Sequence, residues 1–463
     1  MDFLQRVYHL VWGVPALILI LGVGLYLSFR TGFSQLRLLP ASLRLFFSRL
    51  SGGEEAGEGV SSFQALCTAL AATVGTGNLA GVAGAMAIGG PGAIFWMWLC
   101  GILGMVIKFA EAALAVRYRT KNSAGEWVGG PMYLVRLGLP KAFWPLASVY
   151  AFFGVVAAFG VGNATQINTV ISGISDTAAA FGFSLPTWGK LLLGALLAAL
   201  IGVMLLGGAR SIGRTAELLV PFAAGLYLLL SLLVLILRWN ALPLAFSAIF
   251  RGAFDPQAVT GGVIGSMLTS LRTGVSRGVF TNEAGMGTAS IAHASATVRH
   301  PVEQGMMGIV EVFLDTIVIC TMTALVILVS GVPIPYGVDA GISLTGAAFS
   351  QVLGPWVSVV ITLSLCLFAL ATVLGWGLYG LRCAQYLFGD GAWKVFAYLQ
   401  MAMVVLGAVL RADTVWLLAE IVNGLMAIPN LIALGALSPQ LINLYKSYLH
   451  GGTYENFHQC QSL

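Results

Sequence analysis

Apolar runs of roughly 20 residues, each long enough to cross about 30 Å of hydrocarbon as a helix, recur from one end of this chain to the other. Eleven fall near 11–29, 63–88, 91–117, 144–175, 188–207, 216–238, 260–295, 303–330, 355–388, 392–411 and 413–442. Only 9% of the 463 residues are charged and 58% are hydrophobic, whereas soluble domains carry about 25% charged residues. Mean hydropathy is +0.90. Such a chain uses lipid as its solvent, and the absence of strand-like alternation excludes a transmembrane barrel. The expectation is an all-α polytopic membrane protein with about eleven transmembrane helices. The first run has no small-residue cleavage site after it and is read as a retained helix rather than a signal peptide.

Basic residues stay on the cytoplasmic side of a membrane. With the N-terminus outside, sixteen Lys and Arg fall in cytoplasmic loops, from Arg30, Arg37, Arg44 and Arg49 to Arg382, Lys394 and Lys446. Only Arg6, Lys190, Arg238, Arg251 and Arg411 fall outside, and Lys108 and Arg272 lie within spans. The census predicts an outside N-terminus, a cytoplasmic C-terminus and an odd number of spans. The net charge of +5 then reflects topology and gives no case for nucleic-acid binding. The cysteines at 67, 100, 320, 366, 383 and 460 form no CxxC pair or metal spacing and read as core residues.

Two spans break the apolar pattern in similar ways. The second contains Thr73-Val74-Gly75-Thr76-Gly77-Asn78, and the seventh reads GGVIGSMLTSLRTGVSRGVFTNEAGMG with Ser266, Thr269, Ser270 and Thr273 at mid-depth. Five spans separate their starts, so the two enter from opposite faces, as an inverted repeat of five plus five helices requires. Paired, glycine-interrupted spans at corresponding places point to a transporter's binding site. A broken helix presents free N–H groups at the start of its second half, with partial positive charge suited to a carboxylate. The freed carbonyls of its first half suit sodium. Packing alone explains Gly81 and Gly84, but it does not call for two threonines and Asn78 beside glycines.

Other polar residues at depth are costly in lipid and ask for a role. Gln166, in GVGNATQINTV, fits either a substrate contact or a bond to a neighbouring helix. Thr372 and Trp376, four apart, share a helix face. Lys108 and Glu111 are spaced to pair and reach the interface, Glu311 and Asp315 to form a cation or proton site, and Glu283 with Arg277 a helix-end ion pair. Hydrolase, metalloprotease and nucleotide-binding motifs are missing from the sequence, which argues against an enzyme.

GGPGAIFWMWLCGILG, from Gly89 to Gly104, resembles the signature of the alanine or glycine:cation symporters, departing from it at Gly101. ALAATVGTGNLAGVAG, FAEAALAVRYR, GGPMYL, RGVFTNEAGMGTASIAHASA and NGLMAIPNLIAL support the resemblance in order along the chain. It implies a leucine-transporter-like fold: 1–62 an extra N-terminal transmembrane helix and cytoplasmic loop, 63–257 and 258–445 the two five-helix repeats, 446–463 a cytoplasmic tail. It also implies site residues. The N–H groups of Thr76 and Gly77 would hold a substrate carboxylate, with Gln166 and Trp376 at the pocket and carbonyls near Ser270 to Thr273 taking the ammonium. One sodium would use the carbonyls of Ala71 and Val74 with the Thr372 hydroxyl, another the Thr73 carbonyl with Asn78.

The function so implied is sodium-coupled import of a small neutral amino acid, alanine or glycine, by alternating access in a bacterial or archaeal plasma membrane. A proton-coupled permease using Glu311 or Asp315 and, further off, a channel are the alternatives. Preference between alanine and glycine, sodium stoichiometry and oligomeric state stay open.

Overall fold

The computed structural model describes residues 6–7, 11, 14–50, 59–180, 182–338, 341–410 and 412–452. Part of the expected first span, the 51–58 stretch, Arg411, Cys460 and most of the expected tail lie outside the described residues.

Helix α1 (Val14–Arg30) leads through a bend of 79° into α2 (Ser34–Leu50). The region expected to be a cytoplasmic loop is therefore largely helical, because its serines, leucines and arginines repeat at helical spacing. Then come α3 (Ser62–Thr73), α4 (Gly77–Gly89), α5 (Ala93–Arg117), the short α6 (Pro131–Gly138), α7 (Trp144–Phe159), α8 (Thr165–Ala180), α9 (Thr187–Leu206) and α10 (Gly208–Leu237). After α11 (Leu242–Phe254) and α12 (Pro256–Thr260), a second series follows: α13 (Met267–Asn282), α14 (Thr288–His293), α15 (Pro301–Ser330), α16 (Gly341–Leu353), α17 (Val357–Phe388), α18 (Ala392–Gly407), α19 (Ala412–Ala436) and α20 (Ser438–Leu449). Six helical segments are long and apolar enough to cross a membrane alone, and nine if each bent pair counts as one span, among the described residues.

Helix α5 is buried along most of its length between α13 and α15. Small residues set that closeness. A Cβ added at Gly274 would lie 2.2 Å from the Ala93 carbonyl oxygen, and one at Gly308 would lie 2.7 Å from that of Lys108. Without an apolar driving force between helices in lipid, such close backbone approach is what packing can use.

The two broken spans are α3–α4, bent by 50°, and α13–α14. Strand β1 (Val60–Ser61), just before α3, pairs in parallel with β4 (Ala296–Thr297), just after α14. The first broken span therefore begins at the face where the second ends, which is the opposed sense that the sequence spacing predicts. At that face β2 (Thr120–Lys121) and β3 (Trp127–Val128) form a small hairpin. With Arg210, Ser295, Thr297 and Arg382 it walls a vestibule of ≈ 460 Å³. Partial burial pushes the Glu126 carboxyl up, but the 2.8 Å bond from Arg382 outweighs it and holds the group below the usual carboxylate range.

Candidate functional site

Helix α3 stops at Thr73 because Val74 turns extended, with ψ at 103°. The chain is re-nucleated at Gly77 through a π turn over Gly77–Gly81. Between them the Asn78 side chain closes the break, its Oδ1 accepting from the Gly75 N–H at 2.9 Å. The first-turn N–H groups of α4 have no earlier carbonyl of the helix to take them, and that of Asn78 reaches back to the Gly75 carbonyl at 3.3 Å.

The second break runs from Glu283 to Gly287, between α13 and α14. Glu283 sits in the left-handed region at φ 53°, and Gly285 and Gly287 take φ 94° and 76°. This corrects the expected position near Ser270 to Thr273. Those two residues lie inside α13, Ser270 buried in the helix and Thr273 against Gly89, where a Cβ would come within 2.9 Å of the Thr273 Cβ. Their polarity reflects close packing, and neither lines the cavity between the breaks.

That cavity is walled by Ala72, Thr73, Gly75, Thr76 and Gly77 from the first broken span and by Phe280 and Glu283 from the second. Val161 and Gln166 close it from the α7–α8 segment, and Thr372 and Trp376 from α17. The room left is ≈ 20 Å³, about one water's worth. A Cβ on Gly77 would sit 3.2 Å from Thr281 Cγ2, and one on Gly75 only 2.7 Å from Thr372 Oγ1.

The Thr372 hydroxyl donates to its own helix at Phe368 O, 3.0 Å away, and its oxygen lies beside Gly75. The Gln166 amide lines the cavity and makes the foreseen bond to a neighbouring helix, at Thr76. Its Nε2 donates to the Val161 carbonyl at 3.1 Å, within the π turn Gly160–Ala164, and its Oε1 accepts from Thr76 Oγ1 at 3.3 Å. Trp376 is fully buried, packed over Gly162, and donates its indole N–H to Glu283 Oε1 at 3.0 Å. Glu283 Oε2 accepts from Thr288 Oγ1 at 2.6 Å.

Of the residues singled out in the sequence, Thr73, Thr76, Gly77, Gln166, Thr372 and Trp376 thus share one cavity. Ala71 and Val74 are buried just before and within the first break. Asn78 lies behind it, donating to Asp315 Oδ1 at 2.6 Å. Glu311 and Asp315 do not form one site. A π turn over Phe313–Cys320 begins between them and shifts the helical register. Glu311 instead pairs with Lys108 at 3.0 Å and His293 at 2.9 Å.

The expected Lys108–Glu111 interface pair is corrected as well. Both are fully buried because α5 is central. Glu111 Oε1 accepts from the N–H groups of Gly285 and Gly287, at 3.0 and 3.1 Å, and from Asn430 Nδ2 at 2.7 Å. A scaffold carboxylate therefore holds the second break open, a role the FAEAALA stretch did not announce.

Residues 1–459 match the model of the sodium:alanine symporter family. The chain belongs to that family. It is 43% identical to the sodium/alanine symporter AgcS of Methanococcus maripaludis, over 97% of this chain and 98% of that one. It is 37% identical to the probable sodium/glutamine symporter GlnT of Bacillus subtilis, over 95% and 88%. Among solved structures, MhsT in complex with L-phenylalanine superposes with a TM-score of 0.55 at 16% identity, covering 82% of this chain and 97% of that one. This likeness shows a shared leucine-transporter-like fold. The protein is a multi-pass membrane transporter of the sodium:alanine symporter family and not an enzyme.

Proposed function

We propose that this family member imports alanine or glycine together with sodium by alternating access, across a bacterial or archaeal plasma membrane. The observation that carries the reading is the polarity of the cavity. On one side stands the N-terminal turn of α4, at Thr76 and Gly77, with partial positive charge. On the other stands the C-terminal end of α13, which carries the negative end of the helix dipole and the Glu283 carboxylate. An α-amino acid zwitterion would match the two poles, carboxylate to α4 and ammonium to α13, in a state of the alternating-access cycle wider than the ≈ 20 Å³ cavity of this structure. Trp376 leaves its side chain room for little beyond a hydrogen or a methyl group.

Sodium would bind between the carbonyls of Ala71 and Val74 and the Thr372 hydroxyl, next to the Gly75 backbone. The Thr73 carbonyl and Asn78 side chain would form a second position beside Asp315. Such ions neutralise exposed carbonyls and join α3 to α17, and by linkage raise substrate affinity. The full burial of Asp315, where a charge is costly, favours a second reading, a proton there in place of the second sodium.

In this reading the chain crosses eleven times, α1 being additional to repeats over 63–257 and 258–445, with the N-terminus outside and the C-terminus cytoplasmic. Radiolabelled alanine uptake in proteoliposomes, with a sodium gradient imposed at fixed pH and with a pH gradient imposed at fixed sodium, tests it. Accumulation that follows the sodium gradient and ignores the pH gradient supports the reading, accumulation that the pH gradient also drives supports the second, and conductance without saturable uptake defeats both.

A further inference from the structure

Helix α2 carries three separate faces. Ser34, Gln35, Leu38, Ser42 and Arg49 are buried against the protein, on the first turns of α15 and on α5. Leu36, Pro40, Leu43, Phe47 and Leu50 form an apolar stripe about 150° away, with Leu36, Phe47 and Leu50 49–60% exposed. Arg37, Ala41, Arg44 and Ser48 form a third stripe, and both of these arginines are exposed. The helix contains no acidic residue.

A 79° bend from α1, held by bonds from Gln35 to Ser28 at 2.8 Å and from Ser34 to Thr31 at 2.9 Å, turns α2 out of the direction of the span. An apolar stripe edged with arginine suits a helix lying in the headgroup layer. Basic side chains there are drawn to anionic lipid, by about 1 kcal/mol each.

The buried face leads inward. The Arg49 guanidinium bonds Ser62 Oγ and, at 3.1 Å, Glu303. Ser62, the first residue of α3, in turn donates to Gln304. A crevice of ≈ 220 Å³ lies alongside, from Phe46 and Leu50 past Phe63 and Leu70 to Val74 at the first break. A swing of α3 in transport must therefore carry α2 with it or break the Arg49–Ser62 link.

We propose that α2 binds the anionic phospholipid headgroups of the cytoplasmic leaflet through Arg37 and Arg44, and that this anchorage supports α3 during transport. The cytoplasmic placement rests on the topology proposed above; the lipid chemistry does not.

The test uses the full chain in vesicles of phosphatidylcholine alone, or with about 30% phosphatidylglycerol in both leaflets. A fluorophore on Phe47→Cys, read against the unsubstituted protein, reports contact with brominated lipid. At equal mole fraction, brominated phosphatidylglycerol should quench at least twofold more than brominated phosphatidylcholine, and Arg37→Gln with Arg44→Gln should erase the difference. Sodium-driven alanine uptake per protein should rise several-fold with phosphatidylglycerol in the wild type and stay level in the double variant. Equal quenching by the two lipids, or a preference kept by the double variant, overturns the lipid site. A quenching preference without any change in uptake overturns the link to α3. Should alanine not be carried at all, quenching still decides the lipid site, so the two failures are distinguishable.

Discussion

The indole N–H of Trp376 donates to Oε1 of Glu283 across 3.0 Å, joining α17 to the break between α13 and α14. The proposed wall of the substrate pocket and the carboxylate proposed to face the ammonium are therefore one hydrogen-bonded unit. Thr288 fixes the other carboxylate oxygen from the far side of the break. A group held at both oxygens keeps its direction without having to be ordered anew by each substrate molecule.

Glu283→Gln keeps an acceptor for Trp376 and nearly the same volume, but removes the charge. Hydrogen bonds to charged groups contribute about 1.5–3 kcal/mol, so alanine half-saturation should rise roughly ten- to a hundredfold. Exclusion of valine and leucine should not change, because the wall stays in place. Competition uptake in membranes with confirmed expression checks both. An alanine affinity equal to wild type removes Glu283 from the ammonium site.

Thr372 approaches Gly75 closely enough that a Cβ there would lie 2.7 Å from its hydroxyl. Thr372→Ala should raise the sodium concentration for half-maximal uptake about fivefold, the loss of about 1 kcal/mol from one neutral ligand. Ser should largely restore it. Gly75→Ala should impair transport through this contact and recover in part when combined with Thr372→Ala. Sodium dependence that is unaltered in Thr372→Ala dismisses the hydroxyl as a ligand.

The first break was readable because TVGTGN places glycines and hydrogen-bonding side chains inside an otherwise apolar run, where only a functional or packing demand keeps them. The second was readable in existence but not in place. SMLTSLRTG looks interrupted, yet it stays helical because Thr273 packs on Gly89, while the true break needs the left-handed residues of EAGMG. The π turns at Gly160–Ala164 and Phe313–Cys320 left no mark in the spacing, so the parting of Glu311 from Asp315 could not be foreseen. The spacing of Lys108 and Glu111 suits an interface pair, and nothing in the sequence tells how centrally α5 is packed.

Glu111 makes a prediction that the sequence alone did not offer. Its Oε1 takes three donors at the second break, and Glu111→Ala would leave buried N–H groups without an acceptor, at about 1–3 kcal/mol each. Thermal stability in detergent should fall markedly and transport should be lost. Glu111→Gln, which keeps one acceptor oxygen, should recover much of the stability. Equal melting of Glu111→Ala and wild type would show that the break holds its shape without the carboxylate.

The proposed orientation has a direct check. The loop after α15 packs on the end of α4, with Gly337 N bonded to Ala87 O at 2.9 Å. Tyr448 of α20 packs on His300, beside the face of the paired strands β1 and β4. A reporter fused after Lys446 should be cytoplasmic and one inserted near Pro335 external. Both reporters on one side would sink the eleven-span arrangement.

Trp376 offers the sharpest separation of size from charge. Its Cβ lies so near Gly162 that a Cβ on that glycine would sit 2.2 Å away, so the ring cannot withdraw and defines the end of the cavity. Trp376→Ala should open that end and let valine and leucine compete with alanine, at roughly 1 kcal/mol per added methylene, since apolar pockets discriminate weakly by size. Alanine itself should bind less well, because the emptied space forfeits contacts and the Glu283 carboxylate loses its indole partner. Trp376→Phe keeps most of the bulk and loses only the N–H. It should therefore weaken alanine binding while still excluding leucine. Competition assays across the two variants separate the effects. If Trp376→Ala excludes valine and leucine and carries alanine at the wild-type rate, the ring is packing and the wall lies elsewhere.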